Sequence, residues 1–325
     1  MWSERVDRCM KRGLGILLLA ALPVVAAAAK TPFDGPVYVT LQQSNAVEVL
    51  PSGRLIRGIE NAHYAALGPN GHRLLVTSLK TGRVYVVDTR TDRVQAVLSV
   101  GSVAQGVKVS PGGHWALAVN PKRGTVSAID LRKPKVVKVI PVGKTPHNVS
   151  FSPNGRLAYV TLQGAGTVAV VNMRDLRKVR DIPVPGVQGP HNLDLSDDGH
   201  RLWVRDLAGH VAVLALPSGK ELAVIKVGAG HAGIDVIPGG RYVFTGAIAG
   251  HVVDVIDPKT FKVVRRIDVG RGPHGVRASR DGRWVYASVT GDNRIAVIST
   301  RTLKVVRQIP TKGRFPFWVA VPGNP

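Results

Sequence analysis

The sequence predicts an all-β fold, a seven-bladed β-propeller of four-stranded antiparallel blades. Three observations carry this. A segment recurs every 40–44 residues, each repeat reads as four short strands, and the two chain ends hold complementary parts of one unfinished repeat.

The repeat is plainest where residues 144–161 (KTPHNVSFSPNGRLAYVT) are set beside residues 271–288 (RGPHGVRASRDGRWVYAS). Aligning the chain on the shared histidine gives His63, Gln105, His147, His191, His231, His274 and Phe317, at spacings of 42, 42, 44, 40, 43 and 43 residues. Each repeat has one grammar. In the third, an inner strand at 147–151 leads to a turn at Asn154 and Gly155. A second strand follows at 157–161, a third at 167–172 and a basic fourth at 179–183. Asn-Gly and Asp-Gly turns supply the positive φ that closes hairpins, again at Asp198-Gly199 and Asp281-Gly282. Strands at 37–40, 46–50 and 55–59 lack an inner strand before them, while Phe317 opens an inner strand with none after it. Pairing the two ends in one blade seals the ring and removes its free edges.

Composition agrees. Only 5% of the 325 residues are aromatic, and 36 Gly with 22 Pro suit many strands joined by tight turns. Residues 1–29 read as a signal peptide. Lys11 and Arg12 precede an apolar run at 14–25 and a small-residue cleavage zone at 26–29, a signal that reads best from Met10 as the true start. The propeller then occupies residues 30–325, and the expected location is the periplasm. No later stretch is long or apolar enough to span a bilayer, so no transmembrane segment is expected after cleavage. Cys9 is the only cysteine and falls within the signal segment. Thiolate metal sites, iron–sulfur clusters and cysteine nucleophiles are therefore excluded from the mature chain.

Several motifs carry a resemblance. Tyr38 to Thr40 and Tyr159 to Thr161 read YVT, residues 253–257 read VDVID, and residues 126–130 read VSAID with a departure at the middle position. PVG at 141–143 and SPNG at 152–155 complete the set. Across the mature chain the sequence resembles the YVTN-repeat propellers, exported bacterial relatives of the cytochrome d1 propeller. The resemblance implies blade construction and says little of function. It opens a cofactor-binding, maturation or oxidoreductase role, with one histidine as axial ligand to a haem-type tetrapyrrole. The d1-type relatives carry eight blades, whereas seven are counted here.

In a propeller the seven aligned positions ring the mouth of the central channel, on the face that also carries the loops between strands two and three. Five of the seven are histidine, more than blade construction requires. His147, His191, His231 and His274 lie in consecutive blades and are the candidate metal ligands, since neutral imidazoles suit Cu, Zn, Ni or Fe. Ring positions in separate blades start well apart, so shared ligation demands inward reach. The competing expectation is a turn habit copied by duplication, each imidazole capping a loop carbonyl or lining a wet funnel.

The strand-two to strand-three loops add Lys80, Asn120, Gln163, Arg205, Asp206 and Thr290 to the mouth, with Arg205 and Asp206 expected to form a local ion pair on a loop. Phe317 and Trp318 break the histidine pattern where the ring closes and are expected to pack the seam. His210 and His251 fall further from the axis. His72, His114 and His200 belong to the opposite face. No G-x-S-x-G, H-E-x-x-H or phosphate-binding glycine pattern speaks for catalysis.

The formal net charge is +23. Removing residues 1–29 takes away four basic and two acidic residues, which leaves about +21. Many bases fall in the outer strands, among them Arg93, Lys135, Arg177, Lys262, Arg265, Lys304 and Arg307, where they discourage edge-to-edge pairing. The surplus favours an acidic periplasmic protein or an anionic polymer as partner, with nucleic acid held only non-specifically because no stacking aromatics are interleaved. The sequence thus points to a non-catalytic binding or scaffold propeller. Its histidine-lined mouth would hold a metal, a metallo-cofactor or a partner loop.

Overall fold

Runs of alternating Val, Ile, Leu and Ala between Gly-bearing turns become strands throughout. The computed structural model describes residues 32–323, so the signal-peptide reading of residues 1–29 lies outside the described residues. Among the described residues are seven four-stranded antiparallel sheets, which are the seven blades. Blade 3 is representative, with strands Pro146–Phe151, Leu157–Leu162, Thr167–Asn172 and Arg177–Pro183 running from axis to rim. They match the expected strands to within two residues at each end. No helix among the described residues is long and apolar enough to cross a membrane.

The chain ends meet as the sequence predicts. Blade 7 takes its inner strand, Pro316–Ala320, from the C-terminal end and its other three, Val37–Leu41, Ala46–Leu50 and Arg54–Arg57, from the N-terminal end. Tyr38 lies opposite Ala320 and Val39 opposite Val319. The last of these strands ends earlier than expected, and Ile59 instead lies buried beyond it.

Burial follows the distance from the axis. The three inner strands of each blade are almost wholly buried, and their apolar side chains interleave between neighbouring blades. Outer strands expose most of their residues, as in Lys135–Pro141 and Lys262–Asp268.

Two local devices bring the inner strands to the axis. In blades 1, 3 and 6 the register of the inner strand shifts at the histidine, between Ala62 and Ala65, Pro146 and Val149, and Pro273 and Val276. Such a bulge re-aims a side chain and leaves a backbone N–H unpaired. A hydroxyl on the second strand takes up that N–H. Thr77 Oγ1 accepts from Tyr64, Thr161 Oγ1 from Asn148 and Ser288 Oγ from Gly275, at 2.7–3.0 Å. Thr161 and Ser288 then donate onward to the next blade, to the carbonyls of His191 (2.7 Å) and Phe317 (2.8 Å). Thr40 in the closing blade does the same for His63 (2.8 Å). The threonine of the YVT motif therefore stitches one blade to the aligned position of the next.

The second device is glycine. A Cβ on Gly106 would lie 2.8 Å from Asn148 Cα, and one on Gly275 would lie 2.8 Å from Trp318 Cα. Only a residue without a side chain allows neighbouring inner strands to approach this closely.

A candidate histidine metal centre

The bulges and close strand packing draw the aligned residues into one layer across the channel. His147 stacks on His191 with ring centroids 3.6 Å apart, and His191 lies 4.6 Å from His231, which lies 5.3 Å from His274. Phe317 closes the seam, 3.8 Å from the His274 ring and 4.1 Å from that of His63. His63 Nε2 and the Gln105 side-chain oxygen hydrogen-bond at 2.8 Å. The expectation that the ring positions start well apart is thus corrected. Inner strands crowd at the axis, and the imidazoles span what remains. The wet funnel is corrected too. His63, His147, His191 and His274 are buried, and only His231 is partly open.

Carbonyl capping is present, and it fixes tautomers. His147 Nδ1 faces the His191 carbonyl at 3.1 Å, and His274 Nδ1 faces the Phe317 carbonyl at 3.3 Å. A carbonyl can only accept, so each Nδ1 carries the proton and each Nε2 keeps a lone pair. Gln163 reaches His191 Nδ1. Its amide nitrogen faces the ring; a turn of the amide that exchanges nitrogen for oxygen gives the same tautomer, the arrangement in which outer groups orient metal-binding imidazoles.

The Nε2 atoms of His191 and His274 and Nδ1 of His63 are sealed from solvent and have no hydrogen-bond partner among the described residues. Buried polar atoms seldom remain in that state. His191, His231 and His274 each present a ring nitrogen, and these three atoms lie within 4.8 Å of one another. Nitrogens around a four-coordinate ion with bonds of about 2 Å sit roughly 3.3 Å apart, so small ring rotations close the gap.

Burial holds the layer neutral. It pulls His63 down to about 4 and His147 to about 3, and it carries His191 and His274 well below the ordinary imidazole range, with neighbouring imidazoles adding to the effect. His231 is lowered first by burial, then by the charge of Arg205. Neutral imidazole is the ligating form.

The six loop residues divide. Gln163 touches the layer. Arg205 is fully buried and donates from Nη2 to the carbonyls of Gly228 (2.7 Å) and Gly230 (2.6 Å), beside His231. Asp206 accepts the N–H groups of Ala208, Gly209 and His210 at 2.7–2.9 Å. The expected Arg205–Asp206 ion pair on a loop is corrected. Both side chains are buried, and each satisfies backbone of its own. Asn120 and Thr290 bond to the carbonyls of Val100 and Gly272 and close their loops, and exposed Lys80 pairs with Glu60 at 2.8 Å. His210 joins Asp206 at 3.1 Å, and His251 Nδ1 accepts from the Gly272 N–H.

Sequence reasoning missed what lies beneath. Tyr64 and Asn148 both donate to Asn192 Oδ1. Further along the inner strands are Lys108, Ser150, Asp194, Asp235 and Arg277. Arg277 Nη1 donates to Asp235 Oδ1 at 2.5 Å and lies over the Trp318 ring, while the Val236 N–H donates to Asp194 at 2.9 Å. Most of these residues stand three positions beyond the aligned residue in their blades, a spacing that could have revealed them.

The resemblance to d1-type propellers implies a haem-type tetrapyrrole, which would need a planar cleft among these rings. A planar macrocycle is far wider than the gaps between these stacked rings, and the free nitrogens of His191 and His274 are sealed. The residues fit a bare ion within the layer and do not fit a haem there.

Among solved structures, hydrazine synthase of Kuenenia stuttgartiensis is similar at 21% identity and a TM-score of 0.72, covering 81% of this chain and 90% of that one. A functionally unknown protein from Desulfotomaculum acetoxidans is similar at 18% identity and a TM-score of 0.75, covering 89% and 99%. The dihydro-heme d1 dehydrogenase NirN in complex with DHE is similar at 20% identity and a TM-score of 0.67, covering 94% and 79%. At these identities the likeness is one of fold. A search of curated proteins finds no match. The model of the cytochrome D1 heme domain matches residues 70–194 and 201–315, most of the propeller, and the chain belongs to that family.

Proposed function

We propose that this protein is a metal-binding propeller of the periplasm, with His191, His231 and His274 as ligands and His147 packed behind them. One observation carries the reading. Ring nitrogens of three histidines converge within 4.8 Å, and two of these residues keep a sealed, unpartnered Nε2. A thiol-free set of neutral imidazoles selects Cu, Zn, Ni or Fe, and three ligands leave a coordination position open. The periplasmic location rests on the signal-like sequence of residues 1–29. No triad or other catalytic arrangement is part of the proposal, and the role is binding.

The test is elemental analysis of untagged protein exported to the periplasm. Near-stoichiometric copper, zinc, nickel or iron is expected, lost in the double variant His191→Ala/His231→Ala. Protein that stays metal-free after incubation with each ion overturns the reading.

Family membership supports a second reading, a tetrapyrrole lying over the layer with His231 as its single ligand. His231 is the one ring histidine partly open to solvent. Adding haem would then give a visible band that His231→Ala abolishes and His63→Gln leaves intact. The outer rim supports a separate role, holding an acidic protein or anionic polymer through its exposed bases.

A further inference from the structure

Arg205 is a buried cation that forms no ion pair among the described residues, with the charges of Asp206 and Asp254 acting on it only from a distance. It has no exposed surface, and while Nη2 is tied to Gly228 and Gly230, Nε and Nη1 are sealed and have no acceptor among the described residues. The nearby carboxylates are engaged elsewhere. Asp206 takes four backbone N–H groups and the His210 ring, and Asp254 takes the Gly228 N–H and the Arg266 guanidinium. Neither forms an ion pair with Arg205 among the described residues. A buried guanidinium left this way is expensive, and the ordinary remedy is an anion.

Its position says which anion. The Arg205 carbonyl accepts the His191 N–H at 2.7 Å, and its guanidinium is clamped to the residue immediately before His231. Arg205 is therefore tied by its backbone to His191 and by its guanidinium to the loop that carries His231. Its charge also lowers both His191 and His231, which places it within electrostatic reach of each ring.

We infer that Arg205 and the open coordination position of the three-histidine centre together form a binding site for a small monovalent anion, a carboxylate or a pseudohalide such as azide. The inference rests on the metal reading for its coordinating half, whereas Arg205 alone supplies the counter-charge. The site is sealed, so size selects. Small anions such as formate and azide are therefore the expected ligands, and bulky polyanions are not. Guanidinium N–H groups suit oxygen acceptors, and an open metal position takes the anion's other end.

The test uses wild-type protein, Arg205→Met and Arg205→Lys, each loaded with cobalt(II) and assayed for metal content. Azide and formate are titrated at constant ionic strength while the visible cobalt bands are followed. Wild type should show a saturable spectral change. Arg205→Met should bind at least about tenfold more weakly at unchanged cobalt content, with Arg205→Lys between. An equal response in wild type and Arg205→Met, or cobalt loading with no response to either anion, overturns the anion site while leaving the metal reading intact. Absence of cobalt from wild type overturns the metal reading instead. The melting temperature of metal-free protein in formate then decides the anion site. Stabilisation of wild type that Arg205→Met lacks upholds it, and equal melting in both sinks it.

Discussion

His63 shows what burial does to a single side chain. Unfolded, its imidazole takes a proton near pH 6.5; folded, it does so only near about 4. Between those values the unfolded chain holds more protons, so stability that is complete above pH 6.5 is lost as pH falls toward 4. At full slope one such group contributes about 1.4 kcal/mol per pH unit. Urea midpoints measured from pH 7 to pH 4.5 should therefore fall, and should fall less steeply in His63→Gln. An identical slope in that variant would mean that His63 is not buried in its neutral form. Which residues form the layer was legible from the sequence, because duplication kept them in register. Their depth was not. It depends on bulges at His63, His147 and His274 and on the close packing of the inner strands, neither of which marks the spacing. Arg205 was legible as a loop charge only, since its burial arises from the loop of the next blade folding over it.

At the scale of the blade, the YVT threonine and the glycine after the aligned residue have work that sequence reading assigned only to fold. Thr161→Val removes an acceptor for the Asn148 N–H and a donor to the His191 carbonyl. Leaving both buried groups unsatisfied should cost about 2–4 kcal/mol, read as a lower melting temperature with reduced metal occupancy. Gly275→Ala would press a methyl group against Trp318 and the Phe317 carbonyl, at an expected cost of about 1–3 kcal/mol. Thr302→Val, in an outer turn, serves as the control and should leave metal content unchanged. The strands themselves were legible because Gly turns and period-two alternation are local signals. The charged residues Lys108, Asp194, Asp235 and Arg277 went unread: three of them share one offset from the aligned position, but their types differ from blade to blade, so the offset alone did not mark a cluster.

For the whole molecule, the exposed outer strands turn a charge surplus into a surface. Arg93, Lys135, Lys262, Arg265 and Arg307 are all exposed there, alongside apolar Val97, Val139, Val264 and Val306. Binding to heparin should weaken steeply between 50 and 200 mM salt, roughly tenfold or more for every few contacts released, and should be unchanged in His191→Ala/His231→Ala. Binding that survives 200 mM salt would assign the rim a specific partner rather than a charge field. The sign of this charge was evident from composition, while its display as a belt needed the outer strand of every blade.

Blade 7 also sets a timetable. Its inner strand must find partners nearly 280 residues away along the chain, as in the hydrogen bond from Trp318 to Thr40. Contacts this distant are entropically slow to form. The same strand delivers Phe317, the ring that stacks on both His63 and His274. During folding, then, six blades can assemble as an arc while the histidine layer still lacks its seventh wall. On the metal-binding proposal, capture would then be a late event in the protein's maturation, the ion arriving at a channel that has only just become circular.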